Sequence, residues 1–451
     1  MRRTLLELIP IAGYFVKDFP FENLRLTEFP WKSYYNKISK DYNQEIYAIK
    51  VKEEIVGGIL IRYGNPDISF LPELLFFEID PSFRGNGYGK GALDRLIEIL
   101  KQRGFKKLFV QTGRPQIYVR LGYKFEKVEK KGLIIDLYDP YPTKIENAPL
   151  SIIYSEKFLI HDNPYNPEQP SRISYTIDYL RIKGVLHKLN LINPRVATEE
   201  ELLKVHHKDL ILKVKKASET LQHLGRNNCV SKETFYVAKL AFGGALLAGE
   251  LVEKLKKIFV LSRPPGHHAT KKEVKGFCFF NNMAGLAIYL KEKGYNPMII
   301  DWDAHHGDGT QEILYDKPIM YVSFHQRNLF PNTGKEEETG IGEGKGFTKN
   351  FPLPPLTEEK EYLKTFENVY KIADQYKPDI ILISAGQDGH KEEKLTGLML
   401  SSKTYYKLTK IVNEISEKHA NGKIIFLLEG GYNLEALAES NYEIVKAILD
   451  E

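Results

Sequence analysis

Five short runs constrain this chain most: IFVLS (258–262), MII (298–300), IMYVSF (319–324), IILIS (380–384) and IIFLL (424–428). A strand with one wet face alternates apolar and polar residues, whereas a run apolar throughout is covered on both faces, as in a parallel sheet between helices. Helix signals precede the runs. Thr198 with Glu201 three residues on is a capping box, and Ser231 precedes ETFYVAKLAFGGALLAGELVEKL. Alternating helices and buried strands predict an α/β domain with a parallel sheet.

In such a sheet the active site lies outside the carboxyl ends of the strands. The first run leads into RPPGHH (263–268), the second into DWDAHHGD (301–308) and the third into His325. The fourth leads into AGQDGH (385–390) and the fifth into EGGYN (429–433). Every strand end thus delivers polar, reactive groups to one rim. The chain has only two cysteines, Cys229 and Cys278, so a metal would need histidine and carboxylate ligands.

A catalytic zinc takes three protein ligands and keeps a fourth position open. Asp303 and His305 alternate so that both can point one way, and Asp388 can close the triangle. A lone Asp-x-His reads equally as a polar loop, but convergence of the other strand ends favours a metal. His267 and His268, after a stiff Pro-Pro-Gly turn, suit acid–base work near neutral pH, with Asp301 and Asp308 placed to orient them. Tyr432 follows two glycines, so its hydroxyl can reach an oxyanion. Phe277 and Phe330 read as walls of a narrow apolar channel, and Cys278 as a small buried hydrophobe.

RPPGHHA, GFCFFNN, DWDAHHGDGTQ, SAGQDGH and LEGGYN together resemble the successive motifs of the histone deacetylase family, over about residues 150–450. The resemblance implies the arginase-deacetylase fold and a zinc on Asp303, His305 and Asp388 that activates water against an acetamide. It implies His268 as the proton-transferring histidine backed by Asp308, His267 as its electrostatic partner backed by Asp301, and Tyr432 as the group polarising the carbonyl. Phe277, Phe330 and Leu395 become channel walls, and Arg172, in NPEQPSR, part of an acetate exit. A structural potassium ion is implied near Asp301, Asp303, His305, Ser323 and Phe324. One departure is Glu393-Lys394-Leu395, where the family commonly has Asp-Pro-Leu. A binuclear arginase-type site needs further carboxylates, yet Gly307 and His390 stand in those places, which favours one catalytic metal.

At 451 residues the chain is long enough for two domains. The proline-rich stretch LYDPYPTKIENAP (137–149) is the natural boundary, giving domains of 1–140 and 150–451. In the first, ELLFFEIDPSFRGNGYGKG (73–91) is a strand running through a glycine-rich turn into the helix ALDRLIEILKQ, a shape whose amides can cradle a pyrophosphate. With Ile117-Tyr-Val-Arg-Leu-Gly-Tyr123 downstream, it resembles GNAT-type N-acetyltransferases over about 1–136. That implies acetyl-CoA on amides of Arg84, Gly85, Asn86, Gly87, Tyr88 and Gly89, with Glu73 as a general base and Tyr118 as a general acid. Glu73 reads equally as a surface carboxylate.

The net charge of +5 is spread among interleaved lysines and glutamates, so nucleic acid is not an expected partner. The basic, apolar start is interrupted by Glu7 and Pro10, and no run approaches the roughly 18 apolar residues of a membrane span. A cytoplasmic enzyme is expected, with no indication of oligomeric state. The leading expectation is a deacetylase of acetyl-lysine in proteins, fused to an acetyl-CoA-binding domain. The alternative is a deacetylase of acetylpolyamines or other small acetylated amines, with the first domain a non-catalytic sensor. A non-hydrolysing reader of acetyl-lysine is disfavoured by the intact ligands, paired histidines and Tyr432.

Overall fold

The computed structural model describes residues 6–10, 44–52, 54–63, 72–102, 105, 107–112, 117–118, 121, 123, 125–128 and 132–136 of the first part of the chain. Of the rest it describes 148–161, 166–183, 185–225 and 227–450. Two compact units have main spans of 3–145 and 189–451. Most of the expected boundary, 137–147, lies outside the described residues.

The N-terminal unit carries a mixed sheet of β1 (Leu6–Pro10), β2 (Gln44–Val51), β3 (Glu54–Arg62), β4 (Glu73–Ile79), β5 (Lys107–Gln111), β6 (Phe125–Val128) and β7 (Gly132–Asp136). Its order is β1-β2-β3-β4-β5-β7-β6, and only the β4–β5 pair is parallel. That pair meets at Glu73↔Phe109 and Leu74↔Val110 among the described residues. After β4, Asp80 accepts from the Ser82 amide at 2.8 Å, and the chain turns into the helix Tyr88–Gln102. Inside, Lys90 reaches Asp94 at 2.6 Å and the Tyr123 hydroxyl at 3.0 Å, a buried polar group that ties the helix to the segment of Tyr123.

In the C-terminal unit all five apolar runs are strands, fully buried as their pattern requires. The sheet comprises β8 (Ser151–Ile153), β9 (Asn190–Ile192), β10 (Lys257–Val260), β11 (Pro297–Asp301), β12 (Met320–Gln326), β13 (Thr348–Leu353), β14 (Ile380–Ala385) and β15 (Ile424–Leu428). Its order is β13-β12-β11-β14-β15-β10-β8-β9, and every described pair is parallel.

Because side chains alternate along a strand, each run feeds two cores. Ile258, Val260, Ile299, Leu382, Ile425 and Leu427 join the helices Thr234–Leu255 and Asn282–Glu292 in one apolar cluster. On the other face, the Phe426 ring lies 5.7 Å from Phe259 and 6.2 Å from Trp302, which in turn meets Phe366 and Tyr405 from the helices Glu359–Phe366 and Ser402–Ala420.

Thr198 and Glu201 form the expected capping box. The next signal falls differently: the helix starts at Thr234, whose hydroxyl accepts the Ser231 amide at 2.8 Å, so Ser231 opens a turn ahead of the helix. This helix is also long and apolar enough to cross a membrane, which counting unbroken apolar runs misses because glycines and a few charges interrupt it. Of its most apolar window 61% is buried within the protein, as for a core helix.

Candidate active site

The loop after β11 doubles back so that Asp303 and His305 face the loop after β14. His305 Nδ1 lies 2.7 Å from Asp388 Oδ2 and 3.2 Å from Asp303 Oδ1. One ligand atom from each of the three lies within 4.8 Å of the others. Backbone amides aim the carboxylates: Ala304 donates to Asp388 Oδ1 at 2.8 Å and Gly430 to Asp303 Oδ2 at 2.8 Å. A Cβ at residue 430 would stand 2.6 Å from Oδ2 of both Asp303 and Asp388, so only glycine lets this loop approach so closely.

The donor set fits a divalent cation. Burial and the facing Asp303 charge push the Asp388 carboxyl up from the usual carboxylate range. Burial opposes protonation of His305, but the Asp388 and Asp303 carboxylates outweigh it and raise its pKa to about 10. Two buried carboxylates thus compete for one imidazolium, a conflict that a bound dication removes.

His267 and His268 stand beside the triad, their ring centroids 4.1 Å apart. His267 Nδ1 lies 3.3 Å from Asp301 Oδ2, and His268 Nδ1 lies 2.7 Å from Asp308 Oδ1. Burial works against charge on both rings. For His267 the Asp303 and Asp301 carboxylates override it and hold the pKa well above the usual value. For His268 burial and the charge on His267 prevail over Asp308 and lower it to about 3. The pair is split into one cationic and one neutral imidazole, the division that acid–base chemistry needs.

Tyr432 is half-buried, and the desolvation of its phenol raises its pKa well above the usual value, which keeps it protonated and able to donate. Its ring meets Phe277 edge-on at 5.4 Å, and Arg172 Cζ lies 5.0 Å from its centroid. Phe277 itself has φ +69°, strain of about 1–3 kcal/mol that is characteristic of functional loops. Phe330 packs edge-on at 5.1 Å from His268, and Phe330 and Leu395 are 42% and 44% exposed, which puts both at an accessible edge. Arg172 is fully buried and donates to the carbonyls of Gly431 at 2.6 Å and Glu429 at 2.5 Å. Cys278 is buried, as expected of a small hydrophobe.

Four further groups were not foreseen. Glu429 Oε2 accepts the amides of Gly266 and His267 at 2.7 and 3.2 Å, fixing the Pro-Pro-Gly turn, and burial pushes its carboxyl up to about 7. Glu168 is clasped by Arg263 through both oxygens at 2.8 Å and by Arg172 at 3.3 Å. Lys275 donates to Asp308 Oδ2 at 2.5 Å. Tyr321 donates to Asp301 Oδ2 at 3.0 Å. In the loop after Phe330, Glu336 and Glu337 are exposed while Glu338 accepts from Gln311.

In the N-terminal unit, Arg84, Gly85 and Asn86 form an exposed turn, and Gly87, Tyr88 and Gly89 lead into the helix. Gly85 and Gly87 have φ +84° and +79°, and the Asn86 side chain donates to the Phe83 carbonyl at 3.1 Å. Glu73 is buried, not on the surface, and its Oε2 accepts from Arg62 Nε at 2.9 Å. Tyr118 is buried, and burial raises its pKa to about 12.

A parallel sheet whose strand ends bring together an Asp-His-Asp cluster, two carboxylate-backed histidines and a tyrosine defines a hydrolase. Residues 166–448 match the histone deacetylase domain, and the chain belongs to that family. It is 37% identical over 306 residues to a probable deacetylase of Archaeoglobus fulgidus, covering 66% of this chain and 85% of the relative. Histone deacetylase 14, chloroplastic, of Arabidopsis thaliana is 33% identical, covering 69% and 79%. The acetoin utilization protein AcuC of Staphylococcus aureus is 34% identical, covering 62% and 77%. The crystal structure of the HDA15 HD domain superposes with a TM-score of 0.64 at 31% identity, over 67% of this chain and 89% of that one. Residues 12–123 match the acetyltransferase (GNAT) family, so a deacetylase domain and a GNAT domain share one chain.

Proposed function

We propose that this deacetylase acts on acetyl-lysine side chains of proteins, with zinc held by Asp303, His305 and Asp388. The observation that carries the reading is the convergence on one rim of that triad, the His268–Asp308 pair and Tyr432. Bound zinc would supply a Lewis acid for the acetamide carbonyl and a water made nucleophilic near neutral pH. His268, neutral and with its Nδ1–H directed at Asp308, takes a proton at Nε2 and returns it to the departing amine. His267, with Nδ1 3.3 Å from Asp301 Oδ2, stands where it can favour negative charge developing nearby. The Tyr432 hydroxyl donates to the oxyanion.

Phe277, Phe330 and Leu395 line the path of the lysine stem, and Arg172 borders the route by which acetate leaves. A structural potassium ion beside Asp301, Asp303, His305, Ser323 and Phe324 belongs to the same reading. The wall at Phe330 supports a protein substrate over a polyamine. Lys275 lies 5.6 Å from the Phe330 ring centroid and pairs with Asp308, so a polycation meets an ammonium and a neutralised carboxylate there. Acetate release from acetyl-lysine peptides and from acetylspermidine would be compared. Higher kcat/KM on the peptides is expected, and the reverse order would assign a small-amine deacetylase.

For the GNAT domain, the positive-φ glycines and the helix start at Tyr88 support acetyl-CoA bound on amides of 84–89. Glu73, held by Arg62, and Tyr118 remain the assigned acid–base pair. Calorimetric titration of the full chain with acetyl-CoA would test binding, and acetyl transfer by a Tyr432→Phe chain would distinguish catalyst from sensor.

A further inference from the structure

The loop Glu429–Asn433 joins β15 to the helix Leu434–Leu449, and its first half is held at two points. The Gly430 amide donates to Asp303, and Arg172 binds the carbonyls of Glu429 and Gly431. At Gly431, φ is +115°, a turn that glycine makes without the strain a side chain would bring. The direction it takes is set by Glu393. Its Oε1 accepts the Tyr432 amide at 2.6 Å and the Asn433 amide at 2.7 Å.

Glu393 is only 9% exposed, so these are charge-assisted bonds shielded from water. The Glu393 amide in turn donates to the His390 carbonyl at 2.9 Å, two residues beyond Asp388. Asn433 Nδ2 reaches the Glu392 carbonyl at 3.2 Å, and Asn433 Oδ1 caps the helix at the Ala436 amide at 3.1 Å. The segment that supplies the third metal-site residue therefore also grips the backbone of the tyrosine, and it does so with the glutamate that stands where the family commonly has aspartate.

We infer that Glu393 is a positioning residue that sets the Tyr432 hydroxyl in register with the Asp303–His305–Asp388 cluster. The inference rests on the role proposed above for Tyr432. A displacement of about 1 Å in a group acting on the transition state costs on the order of a hundredfold in rate. Loss of the grip therefore acts on kcat and spares substrate binding.

The test uses full-length, zinc-loaded protein and an acetyl-lysine peptide, with Glu393→Ala, Glu393→Gln, Tyr432→Phe and the Ala/Phe double variant. Glu393→Ala is expected to lower kcat roughly ten- to hundredfold with KM nearly unchanged. Glu393→Gln, whose amide oxygen still accepts both N–H groups, restores most of the rate. On the Tyr432→Phe background, Glu393→Ala adds little further loss, because its effect passes through the missing hydroxyl. If Glu393→Ala does not fold, Glu393→Leu fills the same space and replaces it in the cycle. A slow Tyr432→Phe enzyme on which the Glu393 change imposes its full loss again would overturn the role of Glu393 alone. A Tyr432→Phe enzyme as fast as the parent would overturn the role of Tyr432, and this inference with it.

Discussion

His267 and His268 are neighbours with the same side chain, yet their surroundings shift their pKa values in opposite directions. Asp301 and Asp303 flank the first, while the second faces that cation with a single carboxylate. Asp308 fixes which nitrogen of His268 stays free, so Asp308→Asn should cut kcat by roughly 10²–10⁴ while zinc content stays unchanged. Metal analysis alongside steady-state kinetics would check this, and an unchanged kcat would remove Asp308 from the proton path. At this scale much was legible. Asp303, His305, Asp388, the paired histidines and Tyr432 all follow recognisable strands, and it is the convergence of those strand ends that marks them. Glu168, Glu393 and Glu429 were not, because a glutamate in sequence reads as exposed. All three are buried and work through backbone amides or buried guanidinium groups contributed by distant segments. The one local clue was the departure Glu393-Lys394 from Asp-Pro.

The strands show the same division between what pattern reveals and what only pairing reveals. β10, β11, β12, β14 and β15 were legible because burial on both faces leaves unbroken apolar runs. β8 and β9 were not, since each pairs over three residues only, and β13, TKNFPL, mixes polar residues and a proline at the sheet edge. The central strands carry the stability. Phe426 is fully buried between Phe259 and Trp302, so Phe426→Ala should cost about 3–5 kcal/mol in denaturant unfolding. A cost below about 1 kcal/mol would mean that the aromatic face repacks around the cavity.

Across the whole molecule, one buried ion cluster links the ends of the deacetylase unit. Arg263 and Arg172 overcome burial and hold the Glu168 carboxyl down to about 2. A depressed carboxylate pKa contributes stability above its ordinary value of 4.5, and that stability is lost as pH falls from there toward 2. Acid unfolding in that window is expected, and Glu168→Gln should destabilise by about 3–5 kcal/mol at neutral pH by stranding two guanidinium groups. The two units, each with its own core, should melt in separate calorimetric transitions. Zinc at a hundred times its Kd should raise only the deacetylase transition, by about 2.7 kcal/mol of stability. A shift in both transitions would mean that the units unfold together. The strand order has a consequence for how the protein is born. β15 is the last strand in sequence, yet it sits between β14 and β10 and bridges the two halves of the sheet. Until Ile424–Leu428 have been added, a growing chain lacks the strand that joins those halves, and the loop carrying Tyr432 follows directly behind. A chain ending short of that strand lacks both the strand that joins the two halves and Tyr432.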